Sequence, residues 1–312
     1  MTENVPGKPR WPELPYEAFA PTMHLLHMGI QMVGKLTLLK PFEPQWANVV
    51  LGLTGTGLTT GPVPWQGGSF TVSADFSRHE IGITTSWGTT GGFELGPMSV
   101  AGWHERFFGA LAGAGVAVTI NEKPQEVADP LPFPQDSVPR PYDHALVEAW
   151  FQAMHTSAGV MERYRACFSR KTPPIGFMWG TFDLRDLRLG GTAAPADPDP
   201  GYIGRNATGE DQVMSGWWPG SEAYPRPAYY SFTHPKPEGI EKVDPEPAAA
   251  RWDTTLGEFL IDYDDVRTAG DPEAALLAFL DSTYAAGASL AGWDAAWICP
   301  GRPLQTPTGD ST

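Results

Sequence analysis

The sequence predicts an α+β fold made of two similar halves, each an antiparallel sheet with helices packed on it. Three observations carry this prediction. Helix-like and strand-like segments follow one another in the same order in each half. A connector rich in proline, which neither helix interiors nor central strands tolerate, separates the halves at residues 121–141. Both halves also end in small residues, ALAGAG and AAGASLAG, which suggests an internal duplication about a pseudo-twofold axis.

The first half, residues 1–120, opens with a helix that we predict over Tyr16–Val33. A second helix is predicted inside Ser99–Gly115, where a serine cap precedes apolar residues at helical spacing and a glycine ends the run. Glycine and proline turns separate the predicted strands. These strands are Lys35–Leu39, Trp46–Thr54, Ser69–Phe76, Glu80–Ser86 and Val116–Ile120.

The second half, residues 142–297, begins with a long helix over Asp143–Phe168 and ends with one over Pro272–Ala286, the latter capped by Asp271. Strands are predicted between these helices, and residues 298–312 are expected to form a flexible tail. The predicted strands are Ile175–Leu187, Val213–Trp218, Ala228–Thr233 and Leu256–Tyr263.

Composition narrows the class of protein. The 312 residues include 12 Trp, and 41% are hydrophobic, which is typical of a large packed core. A net charge of −15 disfavours nucleic acids and anionic membranes as partners. Two cysteines cannot form a disulfide framework, and no signal peptide or membrane span is visible, so we expect a cytoplasmic protein. Without a GxGxxG or Walker-type motif, no cofactor is expected, and without a GxSxG motif no serine nucleophile is expected.

The opening helix carries His24, His27, Gln31 and Lys35 on one face. Three interpretations stand side by side: a metal-binding pair, a solvated stripe, or the wall of a pocket. A metal site would need at least a third ligand. The face lacks the glutamates of a typical solvated stripe, so we expect His27 and Gln31 to face a pocket and assign no metal ligand.

The segment FMWGTFDLRDL alternates as a strand, so Phe177, Trp179, Thr181, Asp183 and Arg185 are expected on one face. Asp183 is a candidate general acid or base if partial burial raises its pKa. The structural alternative is a buried ion pair between Asp183 and Arg185 or Arg188.

Aromatic residues cluster in GWWPG and PAYYSFTHP. Alternation sends Trp217 and Trp218 to opposite faces, and likewise Tyr229 and Tyr230, so one of each pair belongs to the core. We expect Trp218 and Tyr229 to line a pocket. His234, at a strand end, is a further candidate for proton transfer.

Several stretches, taken in order along residues 11–293, resemble a bacterial family known only as domain of unknown function 5996. They are WPELP, HMGIQMVGK, GLTTGPVP, FSRHEIGITTSWG, SVAGW, FMWGTFDL, GWWPG, PAYYSF and GEFLIDYDDVR. The resemblance implies family membership but no activity.

Departures from the family pattern suggest an altered ligand. The pattern has histidines where this chain has Gln45, Asn48 and Gly176, and tyrosines where it has Gly52 and His234. Arginines of the pattern are replaced by Thr56 and Thr192. If these positions line a cleft between the halves, the chain has a roomier and less charged pocket than its relatives. Gln45, Gly52 and Gly176 are therefore candidate binding residues.

The leading functional hypothesis is a cofactor-independent enzyme that isomerises, eliminates from or cyclises a small, largely apolar molecule of specialised metabolism. Asp183, His27 and His234 would transfer protons, while Gln31, Trp179, Thr181, Trp218 and Tyr229 would contact the substrate. A non-catalytic carrier, sensor or sequestering protein is the first alternative. A metal enzyme using His24 and His27 is the second. The expected partner is a small molecule, and the sequence does not indicate an oligomeric state.

Overall fold

The computed structural model describes residues 9–195 and 206–298. The predicted helices are confirmed, and three of them begin where a side chain accepts a backbone N–H bond: Ser99 from Gly102, and Asp143 and Asp271 from the residues three further on. The α-helices are α1 (Tyr16–Lys35), α2 (Val100–Gly113), α3 (His144–Ala166), α4 (Tyr263–Arg267) and α5 (Pro272–Leu290).

Two six-stranded antiparallel sheets confirm the mixed helix and sheet class. The first has the order β1-β2-β4-β5-β6, with β3 paired to β4, and the second has the order β11-β12-β10-β9-β8-β7. The first contains β1 (Gly52–Leu53), β2 (Gly57–Thr59), β3 (Val63–Trp65), β4 (Gly68–Asp75), β5 (Glu80–Thr85) and β6 (Thr90–Glu94). The second contains β7 (Gly176–Met178), β8 (Asp183–Ala193), β9 (Glu210–Trp218), β10 (Ala228–His234), β11 (Arg251–Asp253) and β12 (Glu258–Asp262). An internal duplication stays a prediction.

The two sheets meet at one point. Leu51, just before β1, forms an antiparallel bridge with Phe177 of β7. We call this junction the seam. The apolar cores of the halves are continuous, because one buried cluster extends from Leu14 to Ala288. Trp150 of α3 lies within it, with its ring 5.1 Å from Phe76 and 5.8 Å from Phe177. The division into domains stays a prediction.

Register decides which face of the second sheet each side chain occupies. Leu184, Trp217, Tyr229 and Ile261 stand opposite one another across β8, β9, β10 and β12. This row faces the helices, since the Tyr229 hydroxyl shares a 2.8 Å hydrogen bond with Ser157 of α3. The next row, which contains Arg185 and Tyr230, faces the opposite side.

The segment Ile175–Leu187, which we predicted as one strand, is a β-hairpin. The prediction that five of its residues share one face is therefore wrong. β7 and β8 pair antiparallel, with Phe177 opposite Leu184. The chain reverses between them at Phe182, whose φ is 63°. Gly176, Met178, Asp183 and Arg185 share one face as a result, and Phe177 lies on the other.

Three other predicted strands differ from the structure. Lys35–Leu39 continues α1 as a 3₁₀ turn over Leu36–Leu39, where the Thr37 hydroxyl donates to Gly34. Trp46–Thr54 is strand only at Gly52–Leu53. Val116–Ile120 keeps the expected alternation, with Val116 and Val118 buried, but it joins neither sheet.

Strands β2, β3, β6 and β11 were not predicted because each is short or rich in glycine. The predicted flexible tail lies outside the described residues beyond residue 298, as do residues 196–205.

Candidate functional site

A cavity of about 510 Å³ lies at the seam. We call it the seam cavity. Its volume is within the range of roughly 300–1,000 Å³ that is usual for small-molecule sites. The first half contributes Lys40, Glu43, Gln45, Val50, Gly52 and Thr59 to its wall. The second contributes Lys171, Thr172, Pro173, Ile175, Gly176 and Leu189. Gln45, Gly52 and Gly176, which are distant in the sequence, thus lie around one space.

The two glycines of this wall play different roles. A Cβ built on Gly52 would lie 3.5 Å from the Thr59 methyl, an ordinary contact, so the missing side chain leaves usable space. A Cβ on Gly176 would lie only 2.9 Å from the Val50 Cβ. Gly176 is therefore required by a close approach of Val50 and does not add free volume. The expectation of a roomier pocket applies to Gly52 but not to Gly176.

The charged side chains of the wall are Lys40, Glu43 and Lys171, and both lysines have partners within the protein. The Lys40 ammonium donates to the Thr60 carbonyl, and burial lowers its pKa while the charge of Glu43 opposes that shift. Lys171 lies 3.7 Å from Glu210. Aliphatic and proline side chains form much of the remainder. The wall is suited to a largely apolar molecule with a few polar contacts.

The segment 44–50 separates the seam cavity from a second, smaller space. Gln45 and Val50 face the first, whereas Trp46 and Val49 line the second. The smaller space has about 60 Å³, enough for about two waters. Trp179 closes it by donating its ring N–H to the Val49 carbonyl at 2.8 Å.

Asp183 lies beside this smaller space and is almost completely buried, with 7% exposed. The hydroxyls of Thr181 and Tyr230 donate to its two carboxylate oxygens. Burial raises the pKa of Asp183 to about 6, although both hydrogen bonds act in the opposite direction. Burial and then the charge of Asp183 raise the pKa of Glu258 to about 7. Two carboxyl groups thus titrate near neutrality on this side of the sheet.

The alternative ion pair of Asp183 with an arginine is not what the structure contains. The buried ion pair joins Arg188 to Asp186, 3.9 Å apart, on the face of the sheet that the helices cover. The Asp183 oxygens instead accept from the two hydroxyls.

The polar face of α1 holds the connector. The Gln31 amide donates to the Gln125 carbonyl and accepts from the Gln125 N–H, both at 2.8 Å. The Lys35 ammonium donates to the Lys123 carbonyl at 2.9 Å, and His24 lies 3.7 Å from Asp136. These contacts account for the face without a ligand.

His27 likewise binds a backbone atom, in this case in the turn between β7 and β8. Its Nε2 is 2.8 Å from the Gly180 carbonyl, and burial lowers the pKa of His27 to about 4. The neutral ring therefore donates this hydrogen bond at physiological pH. His27 and Gln31 are not part of the seam cavity wall, and within residues 9–195 and 206–298 no cluster of three or more metal-binding side chains occurs.

The remaining predicted site residues lie in three different parts of the second half. Tyr229 is completely buried under α3, so it belongs to the core, and Trp218 lies on the other face, with its ring 5.8 Å from Tyr230. The alternation of each pair is as expected, but the choice of Tyr229 over Tyr230 is not supported. His234 is half-buried at the end of β10, four residues beyond Tyr230. Trp179 and Thr181 line the smaller space.

Sequence reasoning missed Tyr230 and Lys40. Tyr230 could be chosen only with the strand register, which pairs Trp217 with Tyr229 and leaves Trp218 and Tyr230 on one face with Asp183. Lys40 lies in a segment that was read as a loop between strands and gave no signal.

The family model described as "Family of unknown function (DUF5996)" matches residues 11–299. The chain belongs to this family. Neither a curated protein nor a solved structure matches it. Three of the positions at which we expected this DUF5996 member to depart from the family pattern, Gln45, Gly52 and Gly176, lie on the wall of the seam cavity. Thr56, by contrast, donates to Asp75 on an exposed turn. In the described part of the chain, no helix is long and apolar enough to cross a bilayer.

Proposed function

We propose that this protein binds a small, largely apolar molecule in the seam cavity. The observation that carries the proposal is a space of about 510 Å³ bounded by both halves, with Gln45, Gly52 and Gly176 on its wall. The candidate proton-transfer residues Asp183, His27 and His234 do not line this space. The geometry therefore favours binding over catalysis within it, as in a carrier, sensor or sequestering protein.

Filling the cavity tests the proposal. Neutral apolar fragments such as indole and 3-phenylpropionamide are titrated calorimetrically into the wild type and Gly52→Leu. The added side chain extends beside Thr59, so we expect at least a tenfold loss of affinity with little change in Tm. Gly55→Leu is the matched control, because a Cβ at Gly55 meets nothing within 4 Å and Gly55 does not line the cavity. Equal affinity in the wild type and Gly52→Leu would show that the fragments bind elsewhere.

Acid–base catalysis at Asp183 is the second candidate. It is supported by the pKa of about 6 for a carboxyl group that contacts Thr181, a residue on the wall of the smaller space. On this proposal the protein isomerises, eliminates from or cyclises a molecule that reaches Asp183 from that side. The space of about 60 Å³ is small for a substrate, which is why this candidate ranks second.

Turnover distinguishes the two candidates. The protein is incubated with each compound that it binds, and products are sought by mass spectrometry. If Asp183 is the acid or base, Asp183→Asn lowers turnover by about 10²-fold or more. Unchanged turnover in both Asp183→Asn and His27→Ala would eliminate this mechanism, and bound compounds recovered intact would leave binding as the function.

A further inference from the structure

Arg185 is a buried cation that forms no ion pair among the described residues; burial lowers its pKa, and the charges of Tyr230, Asp183 and Asp186 oppose that shift without a hydrogen bond to the guanidinium. Its side chain is 1% exposed. One guanidinium nitrogen, Nη1, donates to the Gln45 carbonyl at 3.4 Å. Among the described residues, Nε and Nη2 have no hydrogen-bond partner. The nearby Asp183 oxygens accept from Thr181 and Tyr230 instead. A fully buried guanidinium normally binds a carboxylate or several hydrogen-bond acceptors. In the described part of the chain, the Arg185 guanidinium lacks acceptors for Nε and Nη2.

The guanidinium lies directly behind the wall of the seam cavity. Arg185 is the cross-strand partner of Gly176, and both stand on the same face of the sheet. Gln45, whose backbone it contacts, also lines the cavity. The side-chain oxygen of Gln45 is buried and, within the described residues, lacks a hydrogen-bond partner too. Unsatisfied polar atoms are thus concentrated on the boundary between Arg185 and the cavity.

Gln45 is held in an unfavourable backbone conformation. Its φ of 54° and ψ of 33° lie in the left-handed region, and Trp46 follows with a φ of 56°. Residues other than glycine pay for this conformation, which often accompanies binding sites. A change of this segment that returned Gln45 to an ordinary backbone conformation would therefore release strain.

Resting on the proposed binding function, we propose that the ligand of the seam cavity carries one carboxylate, which displaces the Gln45 side chain and pairs with Arg185. Guanidinium and carboxylate match each other in two parallel hydrogen bonds. The site favours a single negative charge, because the charge of Glu43 opposes that of Lys40, and Lys171 pairs with Glu210. The apolar remainder of the wall, including Val50, Ile175 and Leu189, suits the hydrocarbon part of an amphipathic monocarboxylic acid.

A matched pair of probes tests the charge. The wild type is titrated calorimetrically with 3-phenylpropionate and with its neutral amide, 3-phenylpropionamide, which has nearly the same shape. We expect the acid to bind at least tenfold more tightly than the amide. Arg185→Gln should remove this preference, whereas Lys171→Gln, which changes a charge at the wall but not the proposed partner, should keep it. Phenyl phosphate should bind more weakly than the acid.

The outcomes separate this inference from the proposed function. If acid and amide bind equally, or if Arg185→Gln keeps the preference, Arg185 is structural and the inference fails while binding stands. Tighter binding of phenyl phosphate would overturn the choice of carboxylate. If neither the acid nor the amide binds the wild type, both proposals fail.

A second variant covers the case in which Arg185→Gln does not fold. Gln45→Ala leaves Arg185 and the backbone carbonyl that it contacts in place, and removes the side chain that the ligand is proposed to displace. Affinity for the acid should then rise severalfold while that for the amide stays unchanged. An equal change for both probes would contradict the inference.

Discussion

Leu51 and Phe177 exchange two backbone hydrogen bonds, of 2.9 and 2.8 Å, and this bridge joins the two sheets. It also brings Val50 onto Gly176, where a Cβ on the glycine would lie 2.9 Å from the Val50 Cβ and 3.3 Å from the Leu51 carbonyl oxygen. The absence of a side chain at residue 176 therefore allows the seam to close. The seam cavity depends on this contact, because both Val50 and Gly176 are part of its wall.

Substituting the two wall glycines with alanine should separate their roles. Gly176→Ala forces Val50 away from the bridge, and we expect it to lower the free energy of unfolding by about 1–3 kcal/mol. In Gly52→Ala the new methyl group lies at an ordinary contact distance from Thr59. This substitution should change the free energy of unfolding by less than about 0.5 kcal/mol. Urea unfolding followed by tryptophan fluorescence measures both. Equal effects would mean that Val50 moves aside at no cost.

Local signals made the helices predictable. Ser99, Asp143 and Asp271 are caps whose side chains bond the first turn, and apolar spacing follows each of them. The hairpin of β7 and β8 was missed because side chains alternate between the two faces on each side of the turn, as they would in one continuous strand. Only the reversal at Phe182, a bulky residue with positive φ, breaks the pattern, and such a conformation is not visible in a sequence.

The candidate site was predictable only in part. Gln45, Gly52 and Gly176 were grouped by their departures from the family pattern, and all three line the seam cavity. The polar face of α1 was misleading, since the partners of His27, Gln31 and Lys35 are backbone atoms, which no side-chain pattern reveals. The choice between Tyr229 and Tyr230 required the strand register, which depends on pairing between distant segments.

Asp183 should make stability fall as pH rises. Its pKa is about 6 in the folded protein, against about 4 in an unfolded chain, so folding retains a proton that unfolding releases. This contribution is complete below pH of about 4 and is lost as the pH rises through about 6. A shift of about two pKa units corresponds to about 3 kcal/mol.

Urea unfolding between pH 4 and pH 8 measures this contribution when the wild type is compared with Asp183→Asn. The wild type should lose stability relative to the variant as the pH increases over that range, because the asparagine does not titrate. A constant difference between the two proteins would show that the carboxyl group has an ordinary pKa.

Neighbouring tyrosines provide a matched pair. The Tyr230 hydroxyl donates to Asp183 and favours its charged form, so Tyr230→Phe should raise the pKa of Asp183 further, by about one unit. The fall in stability should then extend to higher pH. Tyr229 bonds Ser157, which does not titrate, so Tyr229→Phe should cost about 1 kcal/mol equally at every pH. The same urea series distinguishes them, and parallel pH profiles for both variants would contradict the role of Tyr230.

Removing the Gln31 amide should release the connector. Gln31 is completely buried and satisfies both the N–H and the carbonyl of Gln125. Gln31→Leu keeps a side chain of similar size. It leaves these two backbone groups unpaired, at a cost of about 1–3 kcal/mol each. We expect a loss of about 2–6 kcal/mol in the free energy of unfolding. Hydrogen exchange should also accelerate at the Gln125 amide, because its acceptor is gone. As a control, Gln152→Ala removes a glutamine that donates to the Thr156 side chain and should leave the Gln125 amide protected. Unchanged protection of Gln125 in Gln31→Leu would mean that other contacts hold the connector, and the polar face of α1 would again need a ligand to explain it.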